Sequence, residues 1–129
     1  VFGRPVDLLH PVREGKVVLR RTLAIAGEGK PGPFPSAPRF HVTPDSRLFL
    51  IYYVQGTEAT GRQVSENRLM EIRSSGELGE PVRIGFQKPF TSYFTASVRA
   101  GSAPSNTLDL LGHRAGDSQT ISYARVRLR

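Results

Sequence analysis

Leu48-Phe49-Leu50-Ile51-Tyr52-Tyr53-Val54 is the stretch that decides the fold. Its seven residues are all aliphatic or aromatic, it is too short for a globular helix, and it is rich in strand-forming side chains. A strand that is apolar on both faces is sandwiched between layers, so this run predicts the centre of the core. Upstream, Phe40 and Val42 alternate with Arg39, His41 and Thr43 before the turn Pro44-Asp45-Ser46. Downstream, a polar loop from Gln55 to Ser65 leads into Asn67 to Arg73, where Arg68, Met70 and Ile72 alternate with Leu69, Glu71 and Arg73. The turn Ser74-Ser75-Gly76-Glu77 then leads to Pro81-Val82-Arg83-Ile84, a short strand whose leading proline suits a sheet edge. No 11-residue window holds a helical stripe, and the class is all-β.

The second half repeats this order. Phe94, Ala96 and Val98 alternate with Thr95, Ser97 and Arg99; the turn Gly101 to Asn106 leads to Leu108-Asp109-Leu110-Leu111; the loop Gly112 to Gln119 leads to Ile121 to Leu128. Tyr52 and Leu110 are 58 residues apart and Met70 and Tyr123 are 53 apart, a loose repeat of the kind that builds propellers and other arrays. A second echo sets Phe2-Gly3-Arg4-Pro5-Val6-Asp7-Leu8-Leu9 against Leu78-Gly79-Glu80-Pro81-Val82-Arg83-Ile84-Gly85. The expected organisation over residues 1–129 is one all-β unit in three parts. Residues 1–35 form an outer strand plus the Gly/Pro-rich connector Gly27 to Pro35, residues 36–85 a first four-stranded antiparallel unit, and residues 86–129 a second that lacks its outer strand. A single β-sandwich or barrel is the alternative architecture.

Composition bounds the partners. With 129 residues and 14.2 kDa the chain is one domain long, and its 13 glycines and 10 prolines fit a chain that turns often. No window approaches the roughly 18–20 consecutive apolar residues of a helical membrane span, and no signal peptide is expected at the start. Val1 in place of an initiating Met points to a processed or excised chain. Zero cysteines exclude disulfides, a thiol nucleophile and thiolate metal sites, while leaving the compartment open. Fifteen arginines against three lysines give a net charge of +7, which raises polyanions as partners. The cations are nevertheless spread along the chain without an aromatic-plus-basic RNA signature, which argues against nucleic acid.

The unit Ala37-Pro38-Arg39-Phe40-His41-Val42-Thr43-Pro44-Asp45-Ser46-Arg47-Leu48-Phe49-Leu50, closed by Gly76-Glu77-Leu78-Gly79-Glu80-Pro81-Val82, resembles a blade of the sialidase-like (neuraminidase-type) β-propeller superfamily. The resemblance covers residues 36 to 128, about two blades. It implies an innermost strand, a Pro-Asp-Gly type turn, a hydrophobic second strand and two outer strands, in an extracellular or periplasmic setting. The family's Asp-box turn has its nearest counterpart in Asp117-Ser118-Gln119-Thr120, which lacks the family's Gly and Trp. The enzymes of the family draw an arginine triad, a tyrosine nucleophile and acidic residues from several blades, more than two blades supply. The implied function is therefore a non-catalytic propeller segment or interaction scaffold with glycan as a possible ligand; the alternative is part of a glycoside hydrolase acting on acidic or neutral glycans.

Candidate ligand-binding residues follow from that frame. Arg39, His41 and Arg99 fall on the polar faces of the two innermost strands, and arginine's planar fork suits carboxylate, sulfate or phosphate. Glu66, Glu71, Asp109 and Tyr53 or Tyr93 are the raw material for acid/base or nucleophile chemistry, and Asp109 stands out because it interrupts an apolar strand. Arg125, Arg127 and Arg129 form a row at two-residue spacing, either a ladder for a polyanion or a charged edge that resists aggregation. His10, His41 and His113, 31 and 72 residues apart, have no metal-site spacing, and no cofactor is expected. No Gly-x-Ser-x-Gly elbow or phosphate loop is present. A chain of two blades leaves sheet faces in need of cover, with Phe49, Ile51, Tyr53, Leu69 and Ile121 exposed. The expected partners are further blades of a longer chain or identical copies, with Val6 to Leu9 adding to the sheet that ends with Ile121 to Leu128.

Overall fold

The computed structural model describes residues 6–9, 12–13, 15–17, 19–91, 95–97 and 105–129, and among these the chain is strands and turns without a helix. The strands are β1 (Val6–Leu9), β2 (Val12–Arg13), β3 (Lys16–Val17), β4 (Arg21–Leu23), β5 (Phe34–Val42), β6 (Leu48–Thr57), β7 (Gln63–Ile72), β8 (Val82–Arg83), β9 (Thr95–Ser97), β10 (Thr107–Arg114) and β11 (Asp117–Arg127). They form a four-stranded antiparallel sheet β5-β6-β7-β8, a three-stranded antiparallel sheet β11-β10-β9, and the pairs β1-β4 and β2-β3. None of these sheets closes into a barrel. The proline before β8 sits at a sheet edge, as its missing N–H requires, and so do Pro35 and Pro38 of the other edge strand, β5.

The central run occupies β6 and is buried on both sides. Leu50, Tyr52 and Val54 join Val64, Met70 and Ile72 in one cluster, covered by Leu23 and Ile25 from the N-terminal part. Ile51 and Tyr53 point the other way and meet Phe90, Leu108 and Leu110, with Ala124 and Val126 of β11 alongside. Thus the three-stranded sheet stacks face to face on the four-stranded one. This stacking corrects the expectation that Phe49, Ile51, Tyr53 and Leu69 meet water: the first three are buried and Leu69 packs at the interface, while Ile121 alone of the five is exposed. Within the chain β1 pairs with β4, in the register Val6 to Leu23, and does not add to β11.

Three hairpin turns share one geometry. In each, the N–H of the first residue donates to the carbonyl four residues on, and the residue at the fourth position donates back: Thr43 to Arg47, Glu58 to Arg62 and Arg73 to Glu77. The fourth position has positive φ in all three: Ser46 (63°), Gly61 (86°) and Gly76 (85°). This is the three-residue loop with a left-handed final residue, which favours glycine. The turns start at residues 43, 58 and 73, a 15-residue beat that fixes the hairpins of the first sheet. The strands consequently run further than alternation suggests, and the expected loop from Gln55 to Ser65 shrinks to the residues around Ala59–Gly61. The same holds for Gly112 to Gln119, where β10 and β11 are joined through Ala115 and Gly116 (φ 78°) alone. Asp117 opens β11 by accepting from the N–H groups of Gln119 and Thr120 and from the Thr120 hydroxyl, which holds its carboxyl below the ordinary aspartate range.

A side-chain clamp joins the two sheets. Asn67, fully buried on β7, donates from Nδ2 to the Phe90 carbonyl (2.8 Å) and accepts on Oδ1 from the Phe90 N–H (2.7 Å). Phe90 is equally buried, packs edge-on against Phe86 at 5.4 Å and lies under the Arg114 guanidinium at 4.4 Å. The segment before β9 therefore has both of its exposed ladder groups at Phe90 satisfied by an amide, which mimics a strand.

Candidate functional site

A β-bulge places the first two candidate residues. Ser36 pairs with Tyr53 and Arg39 with Ile51, so Ala37 and Pro38 together oppose Tyr52, and Ala37 takes a positive φ of 49°. Beyond the bulge the parity of β5 flips. Odd-numbered Arg39 and His41 face the second sheet, whereas Phe40 and Val42 lie half-exposed on the opposite face. His41 is buried and its Nε2 donates to the Ser105 carbonyl at 2.8 Å, tying β5 to the start of β10. Arg39 is partly buried and donates to the Pro38 carbonyl at 2.8 Å. Alternation sets Arg39 and His41 on one face and Phe40 and Val42 on the other, as found; the difference from an open channel is that the second sheet covers the polar face. Arg99 and Tyr93 lie outside the described residues.

The candidate carboxylates are each held by a cation or a hydroxyl. Glu66, buried on β7, pairs through one oxygen with Arg68 and through the other with Arg83, both at 3.1 Å. Beside that pair the Tyr52 hydroxyl is buried without a hydrogen-bond partner among the described residues, and burial pushes its pKa up. Tyr53, by contrast, shares a 2.9 Å hydrogen bond with the Ser65 hydroxyl. Glu71 takes a two-pronged hydrogen bond from Arg47 (3.0 and 2.8 Å), which holds its carboxyl below the ordinary glutamate range, and the same guanidinium lies 4.9 Å over the Phe49 ring. Asp109 accepts on Oδ1 from the Tyr123 hydroxyl (2.9 Å) and from Arg125 Nε (3.0 Å).

The arginines of the expected row differ in their surroundings. Arg125 is committed to Asp109 on the outward face of the three-stranded sheet. Arg127 continues the face of Arg125 at the end of β11 and, with Arg129, borders a groove of about 380 Å³ together with Arg47, Arg73, Glu71 and Glu80, over Phe49, Leu69, Val82 and Leu128. The outward sheet face itself carries Leu111 (49% exposed), Ile121 (62%) and Tyr123 (55%) around the Asp109–Arg125 pair. Leu111 and Tyr123 are direct cross-strand partners, so the three apolar side chains form one patch. Among the described residues no group of three or more His, Asp or Glu side chains is placed to hold a metal ion, and no helix is long and apolar enough to cross a membrane. The chain matches no protein-family model, no curated protein and no solved structure.

Proposed function

We propose that the chain is a non-catalytic interaction scaffold built by stacking antiparallel sheets, two successive blades of a sialidase-like propeller, whose outward face receives a further sheet from a longer chain or an identical copy. The observation that carries this reading is the patch of Leu111, Ile121 and Tyr123. The four-stranded sheet buries its corresponding face, Ile51 and Tyr53, under the three-stranded sheet; the three-stranded sheet presents its own next face half-open. Repetition of one stacking step covers it, which is the logic of a blade array. The engagement of Glu66, Glu71 and Asp109 with arginines supports a structural rather than a catalytic use of the acidic residues.

Incubation with a panel of chromogenic glycosides, acidic and neutral, tests the non-catalytic part. The reading expects no turnover; hydrolysis that disappears in Asp109→Asn overturns it and favours the glycoside-hydrolase alternative. A glycan array tests the ligand part, with Arg39→Ala and Arg99→Ala as the variants expected to abolish any acidic-glycan binding that depends on the innermost strands.

A further inference from the structure

The groove at the end of β11 contains two kinds of arginine. Arg47 is satisfied by Glu71 and Arg73 by Glu77 (2.9 Å), so these two are structural. Arg127 and Arg129 form no ion pair among the described residues, yet both border the same cavity. Each presents a planar fork of N–H donors at fixed angles, the geometry that grips oxyanions in a two-pronged fashion. Beneath them the surface turns apolar, through Leu69, Leu128 and the well-exposed Val82. The cavity volume falls within the roughly 300–1,000 Å³ common for small-molecule sites.

We propose that this groove binds a small amphiphilic anion: a phosphate or sulfate ester whose oxyanion lies between Arg127 and Arg129 and whose apolar body rests against Val82 and Leu69. A tetrahedral ester group offers three terminal oxygens, enough for two guanidinium forks, whereas a carboxylate offers two and saturates one. Glu80 lines the same groove without an ion pair among the described residues, so its charge opposes the ligand and sets an upper limit on affinity.

Calorimetric titration of the full chain with phenyl phosphate, phenyl sulfate, inorganic phosphate and phenol tests the proposal, and the two esters separate phosphate from sulfate. At least one ester is expected to bind, at least about fivefold tighter than inorganic phosphate and with phenol not saturating, because charge and apolar floor act together. The double variant Arg127→Ala/Arg129→Ala is expected to lose at least about tenfold in affinity, and Glu80→Gln to gain about two- to fivefold. All three positions are exposed, and unchanged thermal midpoints show that the variants remain folded. Ester binding that survives the double variant overturns the assignment. Inorganic phosphate or phenol binding as tightly as the esters overturns the amphiphilic ligand, and silence of both esters overturns the site.

Discussion

Replacing Asn67 by alanine removes the amide that clamps Phe90 by both of its backbone groups, and the cost follows from the geometry. The two hydrogen bonds, 2.8 and 2.7 Å long, are made in a fully buried position. Their loss takes two hydrogen bonds from buried backbone groups, and a buried group that loses its partner costs about 1–3 kcal/mol. The small void left by the amide adds to this, for a total of about 3–5 kcal/mol. Native domains have only about 5–15 kcal/mol in hand, so the variant loses a large share of its stability. Urea unfolding followed by circular dichroism and tyrosine fluorescence reads this directly, since the chain has four tyrosines and no tryptophan. With a slope of about 1.5 kcal/mol/M the midpoint is expected to fall by about 2–3 M at unchanged slope. Thr60→Ala, on an exposed turn, serves as the control and is expected to change stability by less than about 0.5 kcal/mol. A loss below about 1 kcal/mol in Asn67→Ala would refute the clamp, because a group worth so little cannot be holding two buried ladder positions.

Four further outcomes are expected from the same structure. Ser46→Gly relieves the one non-glycine at the shared turn position and stabilises by about 0.5–1 kcal/mol, measured as a rise in thermal midpoint. Gly76→Ala at the equivalent position does the opposite, by about 2 kcal/mol or more, because φ is 85° and a Cβ there comes 2.3 Å from Leu19 Cδ2. Tyr52→Phe deletes a buried hydroxyl with no partner among the described residues and is expected to be neutral or stabilising by up to about 1 kcal/mol in urea melts. Glu71 has a lowered folded-state pKa, so its contribution is complete above the unfolded-state value and disappears as pH falls through the folded one. Acid unfolding below about pH 4.5 should therefore include a Glu71-dependent part of at most about 1 kcal/mol, screened by solvent and flattened in Glu71→Gln.

The sheet core was legible because a single physical rule, burial on both faces, covers all of Leu48 to Val54. The edge position of β8 followed equally well from Pro81. Faces were less legible than strands. Alternation separates Arg39 and His41 from Phe40 and Val42 correctly, but which face the second sheet covers is set by tertiary packing, so polar His41 is a buried tie to Ser105. Loop lengths were overestimated around Gly61 and Gly116 because polar residues such as Gln63 and Gln119 remain in exposed ladder positions, where composition resembles a loop. The 15-residue beat of Ser46, Gly61 and Gly76 was a readable signal for those short turns. Of the candidate site, the oddness of Asp109 was visible in an apolar strand, but its partners Tyr123 and Arg125 depend on the cross-strand register of β10 and β11. The grouping of Arg127 and Arg129 with Arg47 and Arg73 joins two sheets and leaves no trace in local spacing.

Sedimentation velocity of the chain across a concentration series, with a hydrophobic dye added in parallel, reads whether the outward sheet face takes a partner. Self-association or strong dye binding through the face of Leu111, Ile121 and Tyr123 is expected, both abolished by Leu111→Glu with the fold retained. A monodisperse 14.2 kDa monomer that excludes the dye at every concentration would contradict it.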